Sequence, residues 1–133
     1  MAPKRRLLLI DDEVAFTRIA KLNLEAAGSY EVRVENDGSR ALEAAREFAP
    51  DLILLDVIMP DVDGGDIGGQ IRSDAALAHV PVVYLTAAVS HEELQGESGT
   101  IGGRVFIAKP ASHRTLLNVI ERQLGVSAET PGG

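Results

Sequence analysis

The sequence predicts an α/β domain: a parallel sheet with helices packed on both of its faces. Three observations carry this. Short, unbroken apolar runs recur at residues 7–10, 52–55 and 81–85, and such runs suit strands buried on both faces. Segments of helical period lie between them, and strand–helix alternation implies parallel pairing. Each run also ends on a residue that serves packing badly or not at all: Asp11, Asp56, Thr86 and, after a further run at 104–108, Lys109.

The 133 residues make one domain of ordinary size, with 45% hydrophobic residues for a core. The first strand covers residues 7–10. A helix follows from Val14, with Ala15, Ile19, Leu22 and Ala26 expected on its inward face, Asp12 as N-cap and Gly28 as stop. Residues 30–34 alternate, with Val32 and Val34 on one side, and form the second strand. Asn36, Asp37 and Gly38 signal a turn. A second helix starts at Ser39, buries Ala41, Leu42, Ala45, Phe48 and Ala49, and closes at Pro50. The third strand ends on Asp56.

A third helix is expected over 61–72, with a loop-like start. Gly64, Gly65, Gly68 and Gly69 would each cost about 1 kcal/mol relative to Ala in a helix interior. The fourth strand, 81–85, ends at Thr86. Gly96, Gly99, Gly102 and Gly103 leave room for only a short helix, over 90–96. The fifth strand, 104–108, leads to Lys109 and Pro110. Ser112 caps a last helix with Leu116, Leu117, Ile120 and Leu124 inward, and Gly125 ends it. Residues 1–125 form the domain and 126–133 a polar tail expected to be flexible.

Crossovers between parallel strands are nearly always right-handed. The order of elements therefore predicts a flavodoxin-like, doubly wound (βα)5 sheet in the order 2-1-3-4-5, with its switch point between the first and third strands.

Composition excludes several classes. A net charge of −7 argues against direct nucleic-acid contact as the main role. With three Phe, two Tyr and no Trp, stacking platforms for bases are not expected. The absence of Cys removes disulfides and thiolate metal sites and fits a reducing compartment. No apolar stretch is long enough to span a bilayer. His79, His91 and His113 have no ligand spacing and read as surface residues. Asp61 and Asp63 read as loop turn and helix cap.

In the predicted sheet the strand ends lie side by side, bringing Asp11, Asp12, Asp56, Thr86 and Lys109 together. Grouped carboxylates repel unless a cation neutralises them, and hard oxygen donors suit Mg²⁺. A cation, an ammonium and a hydroxyl around one carboxylate are what an incoming phosphoryl group needs, with an aspartate oxygen as nucleophile.

These residues resemble a response-regulator receiver domain of two-component signalling. The resemblance spans residues 5–124. It rests on Asp11 and Asp12, on Asp56 followed by Met59, Pro60, Asp63 and Gly64, on Thr86 and Ala87, and on Lys109 and Pro110. It implies that Asp56 is the phosphoacceptor. Asp12 and Asp56 would hold Mg²⁺, Asp11 would act through water, and the Ile58 backbone carbonyl would complete the protein's share of the shell. Thr86, Ala87 and Lys109 would bind the phosphoryl group, and the Lys109–Pro110 peptide would be cis. Thr86 and Phe106 would form the switch, Phe106 standing where many relatives carry Tyr.

The implied donor is a sensor histidine kinase or a histidine phosphotransfer protein. The implied location is cytoplasmic, away from membranes, and the chain would be a monomer or weak homodimer. It would be either a stand-alone receiver or one excised from a longer regulator. Ile58 and Ala88, two residues beyond Asp56 and Thr86, stand where fast-dephosphorylating relatives carry polar side chains, so slow loss of the phosphoryl group is expected. An aspartate-nucleophile phosphatase would need a general acid at position 58, where Ile58 offers none. An enzyme is therefore not expected.

Overall fold

A computed structural model describes residues 3–60, 62–87, 91–94 and 96–125. In chain order the elements are β1 (Arg5–Ile10), α1 (Val14–Ala26), β2 (Tyr30–Glu35), a 3-10 turn (Gly38–Arg40), α2 (Ala41–Phe48), β3 (Leu52–Asp56), β4 (Ile58–Met59) and β5 (Val62–Asp63). They continue as α3 (Gly64–Ser73), β6 (Val82–Thr86), α4 (His91–Leu94), β7 (Ser98–Ile101), β8 (Arg104–Ala108) and α5 (His113–Leu124). The five expected strands are β1, β2, β3, β6 and β8. They pair in parallel in the order β2-β1-β3-β6-β8, as the sequence predicts.

The sheet has two cores because alternate strand residues point to opposite faces. Leu7 and Leu9 of β1 pack with Leu24 of α1 and Leu116 and Ile120 of α5. Leu8 and Ile10 pack on the other face with Ala44 and Phe48 of α2 and Ile67 and Ile71 of α3. All four apolar residues of β3, Leu52, Ile53, Leu54 and Leu55, are fully buried. Burial of this kind contributes about 1.5–3 kcal/mol per side chain. It fixes the strand whose end carries Asp56.

Four expectations are corrected. The sheet has a sixth strand, β7, antiparallel to β8 at the edge, where only loop was expected. Ile101 pairs with Arg104, so Gly102 and Gly103 alone make the turn. Both have positive φ, 59° and 81°, the conformation a tight two-residue hairpin demands.

The inward face of α1 is Thr17, Ala20 and Leu24, flanked by Phe16. The expected face is the opposite one: Ile19 and Leu22 are 58% and 65% exposed, and Ala15 and Ala26 are exposed too. The helix carries two apolar stripes, and periodicity cannot rank them.

Glu13, not Asp12, occupies the N-cap position of α1, while Gly28 stops the helix as expected, at φ 86° just past the Ala27 C-cap. In α2, Ala44 is buried. Ala49 is an exposed left-handed C-cap with φ 52°.

The remaining helices follow the sequence more closely. α3 begins at Gly64 behind the small β4–β5 hairpin, and Asp63 caps it by accepting from Gly65 N–H at 2.7 Å. Ser112 caps α5 by accepting from Thr115 N–H, and Gly125 ends it at φ 68°. Leu116, Val119 and Ile120 are its buried residues, with Leu117 and Leu124 partly buried beside them. α4 covers only His91–Leu94. His79 and His113 are exposed. Asp61, Ala88 and the 126–133 tail lie outside the described residues. No helix among the described residues is long and apolar enough to cross a membrane.

Candidate functional site

The connection after β1 and the connection after β3 run to opposite faces of the sheet, which opens a crevice at the carboxyl ends of these strands. A cleft of about 580 Å³ lies there, lined by Asp12, Glu13, Phe16, Asp56, Ile58, Ala87, Lys109 and Pro110. Asp11, Asp12 and Asp56 each bring a carboxylate oxygen to within 4.8 Å of the others. Asp11 and Asp56 are buried, and Asp12 is half-buried.

Lys109 binds this group together. Its Nζ donates to Asp11 Oδ2 at 2.8 Å and to Glu13 Oε1 at 2.5 Å, and stands 3.8 Å from Asp56 Oδ2. Its ammonium also lies over the Phe16 ring, 5.2 Å from the centroid. The Lys109–Pro110 peptide is cis, and Lys109 N–H donates to the Thr86 carbonyl at 3.0 Å. That bond joins the ends of β6 and β8.

Asp11 is held from several directions. Its backbone N–H donates to the Glu35 carbonyl, and its Oδ1 accepts from Glu13 N–H at 2.9 Å. Asn36 Nδ2 donates to the Asp11 carbonyl at 2.7 Å and to Thr17 Oγ1 at 3.0 Å, tying the loop after β2 to both the site and α1. Asp56 Oδ1 accepts from Ile58 N–H at 3.3 Å.

The electrostatics follow from burial and crowding. Asp56 is only 4% exposed, and burial, then the nearby Asp11 charge, push its carboxyl up to about 7. Burial opposes the charge on Lys109, but its bonds to Asp11 and Glu13 outweigh this and hold the ammonium above its ordinary value. Among the described residues, one ammonium serves Asp11, Glu13 and Asp56.

The structure thus brings Asp11, Asp12, Asp56 and Lys109 to one point. Thr86 is buried at the end of β6, with Ala87 exposed beside it on the cleft wall. Ile58 is 61% exposed at the cleft. Phe106 is half-buried and stacks on Tyr84 of the neighbouring strand at 5.3 Å between centroids. Tyr84 Oη in turn accepts from Arg72 Nη1 of α3 at 2.5 Å.

Sequence reasoning missed Glu13 and Asn36 as parts of the site. Asn36 reads as an ordinary turn residue. Glu13 carries no signal beyond following Asp11 and Asp12.

Comparison with known proteins agrees with this geometry. The family model described as the response regulator receiver domain matches residues 7–121. The polar-differentiation response regulator DivK of Brucella anthropi is 35% identical over 124 residues, covering 92% of this chain and 98% of DivK. The DNA-binding dual master transcriptional regulator RpaA of Synechocystis is 37% identical over 113 residues, but there the chain spans only 46% of the relative's length. Among solved structures, the chemotaxis protein CheY4 of Vibrio cholerae superposes with a TM-score of 0.76 at 29% identity, covering 90% of this chain and 98% of CheY4. The receiver domain of the hybrid histidine kinase CckA gives 0.70 at 34%, with coverages of 90% and 98%. With the match running through nearly every strand and the acidic crevice, the chain belongs to the response regulator receiver domain family.

Proposed function

We propose that the chain accepts a phosphoryl group on Asp56 and uses it to switch a partner-binding face. The observation that carries this is the placing of the Asp56 carboxylate between two further aspartates and the Lys109 ammonium, in an open cleft. The donor is a histidine of a sensor kinase or phosphotransfer protein. A nitrogen–phosphorus bond breaks and a bond from an Asp56 oxygen to phosphorus forms, so Asp56 must be ionised to react. Lys109 favours that ionised form and receives a phosphoryl oxygen, together with the Thr86 hydroxyl and the Ala87 backbone.

The donor set fits Mg²⁺: hard oxygens only, on a carboxyl that burial and then the Asp11 charge raise to about 7 without a divalent ion. Asp12, Asp56 and the Ile58 carbonyl would hold it, with Asp11 acting through water. When bound, the ion neutralises charge on the transferring group.

Phosphorylation draws Thr86 inward, and Phe106 follows against Tyr84, shifting the face made by α4, β8 and α5. Phe106 has no hydroxyl, so it signals by position alone. The chain acts as a phosphoryl acceptor, not as a turnover enzyme, and works either alone or as the receiver of a longer regulator.

Acetyl phosphate with Mg²⁺ is expected to label the wild type, and Asp56→Asn is expected to abolish the label. Equal labelling of both, read by mass, would overturn the assignment. A second outcome follows from Ile58, which offers no polar side chain to orient an attacking water. The phosphorylated protein should hold its label for minutes or longer, and a half-life of seconds would remove that explanation.

A further inference from the structure

We propose that Glu13 is a positioning residue that competes with the phosphoryl group for the Lys109 ammonium and so tunes how tightly the site holds that group. This rests on the assignment of Asp56 as phosphoacceptor. An ammonium has three N–H donors. Lys109 directs its shortest contacts to Glu13 at 2.5 Å and Asp11 at 2.8 Å, and Asp56 is left at 3.8 Å. The lysine side chain is 13% exposed and flanked by Phe16, so little water is at hand to replace a lost partner.

Glu13 is free to play this part because α1 does not use it. It stands at the N-cap position, yet its side chain makes no capping hydrogen bond. Its carboxylate turns instead towards a lysine 96 residues away in sequence.

The two competitors differ in how readily they can let go. The Asp11 side chain has no exposure and stays in the cluster whatever binds. The Glu13 side chain is 59% exposed and can swing into water at small cost. A phosphoryl group on Asp56 brings more negative charge and strong acceptor oxygens. Lys109 then exchanges Glu13 for a phosphoryl oxygen, and that exchange is a standing charge against binding.

The test is binding of beryllofluoride, a phosphoryl mimic, at saturating Mg²⁺ to wild type, Glu13→Gln and Glu13→Asp, by titration calorimetry. Removing the competing contact is expected to tighten binding about two- to fivefold, the range of one exposed ion pair. Glu13→Asp keeps the charge but shortens its reach, so it should tighten binding as well. Both effects should persist in about 0.5 M salt, where charges more than about 4 Å apart are screened. Mg²⁺ affinity measured alone should stay unchanged or weaken in Glu13→Gln, because a nearby negative charge has gone.

The proposal is overturned if Glu13→Asp binds like wild type, if the Glu13→Gln gain vanishes in high salt, or if neither variant differs from wild type. If wild type itself fails to bind beryllofluoride with Mg²⁺, the phosphoacceptor assignment falls instead. The two failures are therefore distinct.

Discussion

In a metal-free buffer at pH 8, Asp56→Asn is expected to be more stable than wild type by about 2–4 kcal/mol. The reason is the raised Asp56 carboxyl, at about 7 in the folded protein against 3.8 when unperturbed. A gap of about three units corresponds to about 4 kcal/mol between the two protonation states, the upper end of the expectation. The sign follows from proton binding. A raised folded-state value means that the folded chain holds the proton more tightly than the unfolded one. The stability this group contributes is full below about pH 4. It is lost as pH rises to about 7, and above that the ionised, crowded carboxylate carries its whole cost.

Asn at this position does not titrate. The stability difference between variant and wild type should therefore grow from pH 4 to 7 and level off by pH 8. Denaturant unfolding in chelator across this range is the check. Mg²⁺ should reverse the ranking by binding the folded wild type, an effect of mass action. Parallel stability curves for the two proteins from pH 4 to 8 would mean that Asp56 is not the strained carboxylate.

Gly64→Ala is expected to destabilise the domain by about 1–2 kcal/mol and to slow labelling of Asp56. A Cβ at Gly64 would lie 2.3 Å from the Asp56 carbonyl oxygen and 2.6 Å from Val57 Cα. These are backbone atoms at the end of β3, so no rotamer change relieves the clash. Gly64 N–H also donates to the Val57 carbonyl at 2.9 Å, fastening α3 to that strand end. Overpacking costs about 1–3 kcal/mol or more and outweighs the helix-propensity gain of about 1 kcal/mol from Gly to Ala.

Gly69→Ala is the contrast. Its nearest neighbour is the flexible Arg72 guanidinium at 4.0 Å, and the propensity gain should appear as stabilisation of about 0.5–1 kcal/mol. Urea midpoints of the two variants test both statements. Equal tolerance at Gly64 and Gly69 would show that α3 is not pressed against the end of β3. The glycines in this helix look alike as a propensity cost, yet the one against β3 is required by close approach and the other is not.

Apart from β2, which was read from its alternation, the parallel strands were legible because a strand buried on both faces writes itself as an unbroken apolar run. Such a run stops abruptly where apolar packing gives way to buried polar residues at the crevice, at Asp11, Asp56 and Thr86. β7 was missed although its turn was present in the sequence. Gly102 and Gly103 between Ile101 and Arg104 form a two-residue hairpin signal, hidden among other glycines. The face of α1 was inverted for a different reason. Its two apolar stripes satisfy the same period, and only contact with β2 and α5 selects Ala20 and Leu24 over Ile19 and Leu22.

What the sequence determined alone was the ends of the five parallel strands, their order in the sheet and the residue types gathered there. Those follow from local hydrophobicity and from the handedness of crossovers, which act along the chain. What only the tertiary structure decided was the sharing of one ammonium among Asp11, Glu13 and Asp56, the hold of Asn36 on Asp11 and the seat of Tyr84 against Phe106. Contacts of this kind join residues far apart in the chain, and they depend on distances of an ångström that no periodicity encodes.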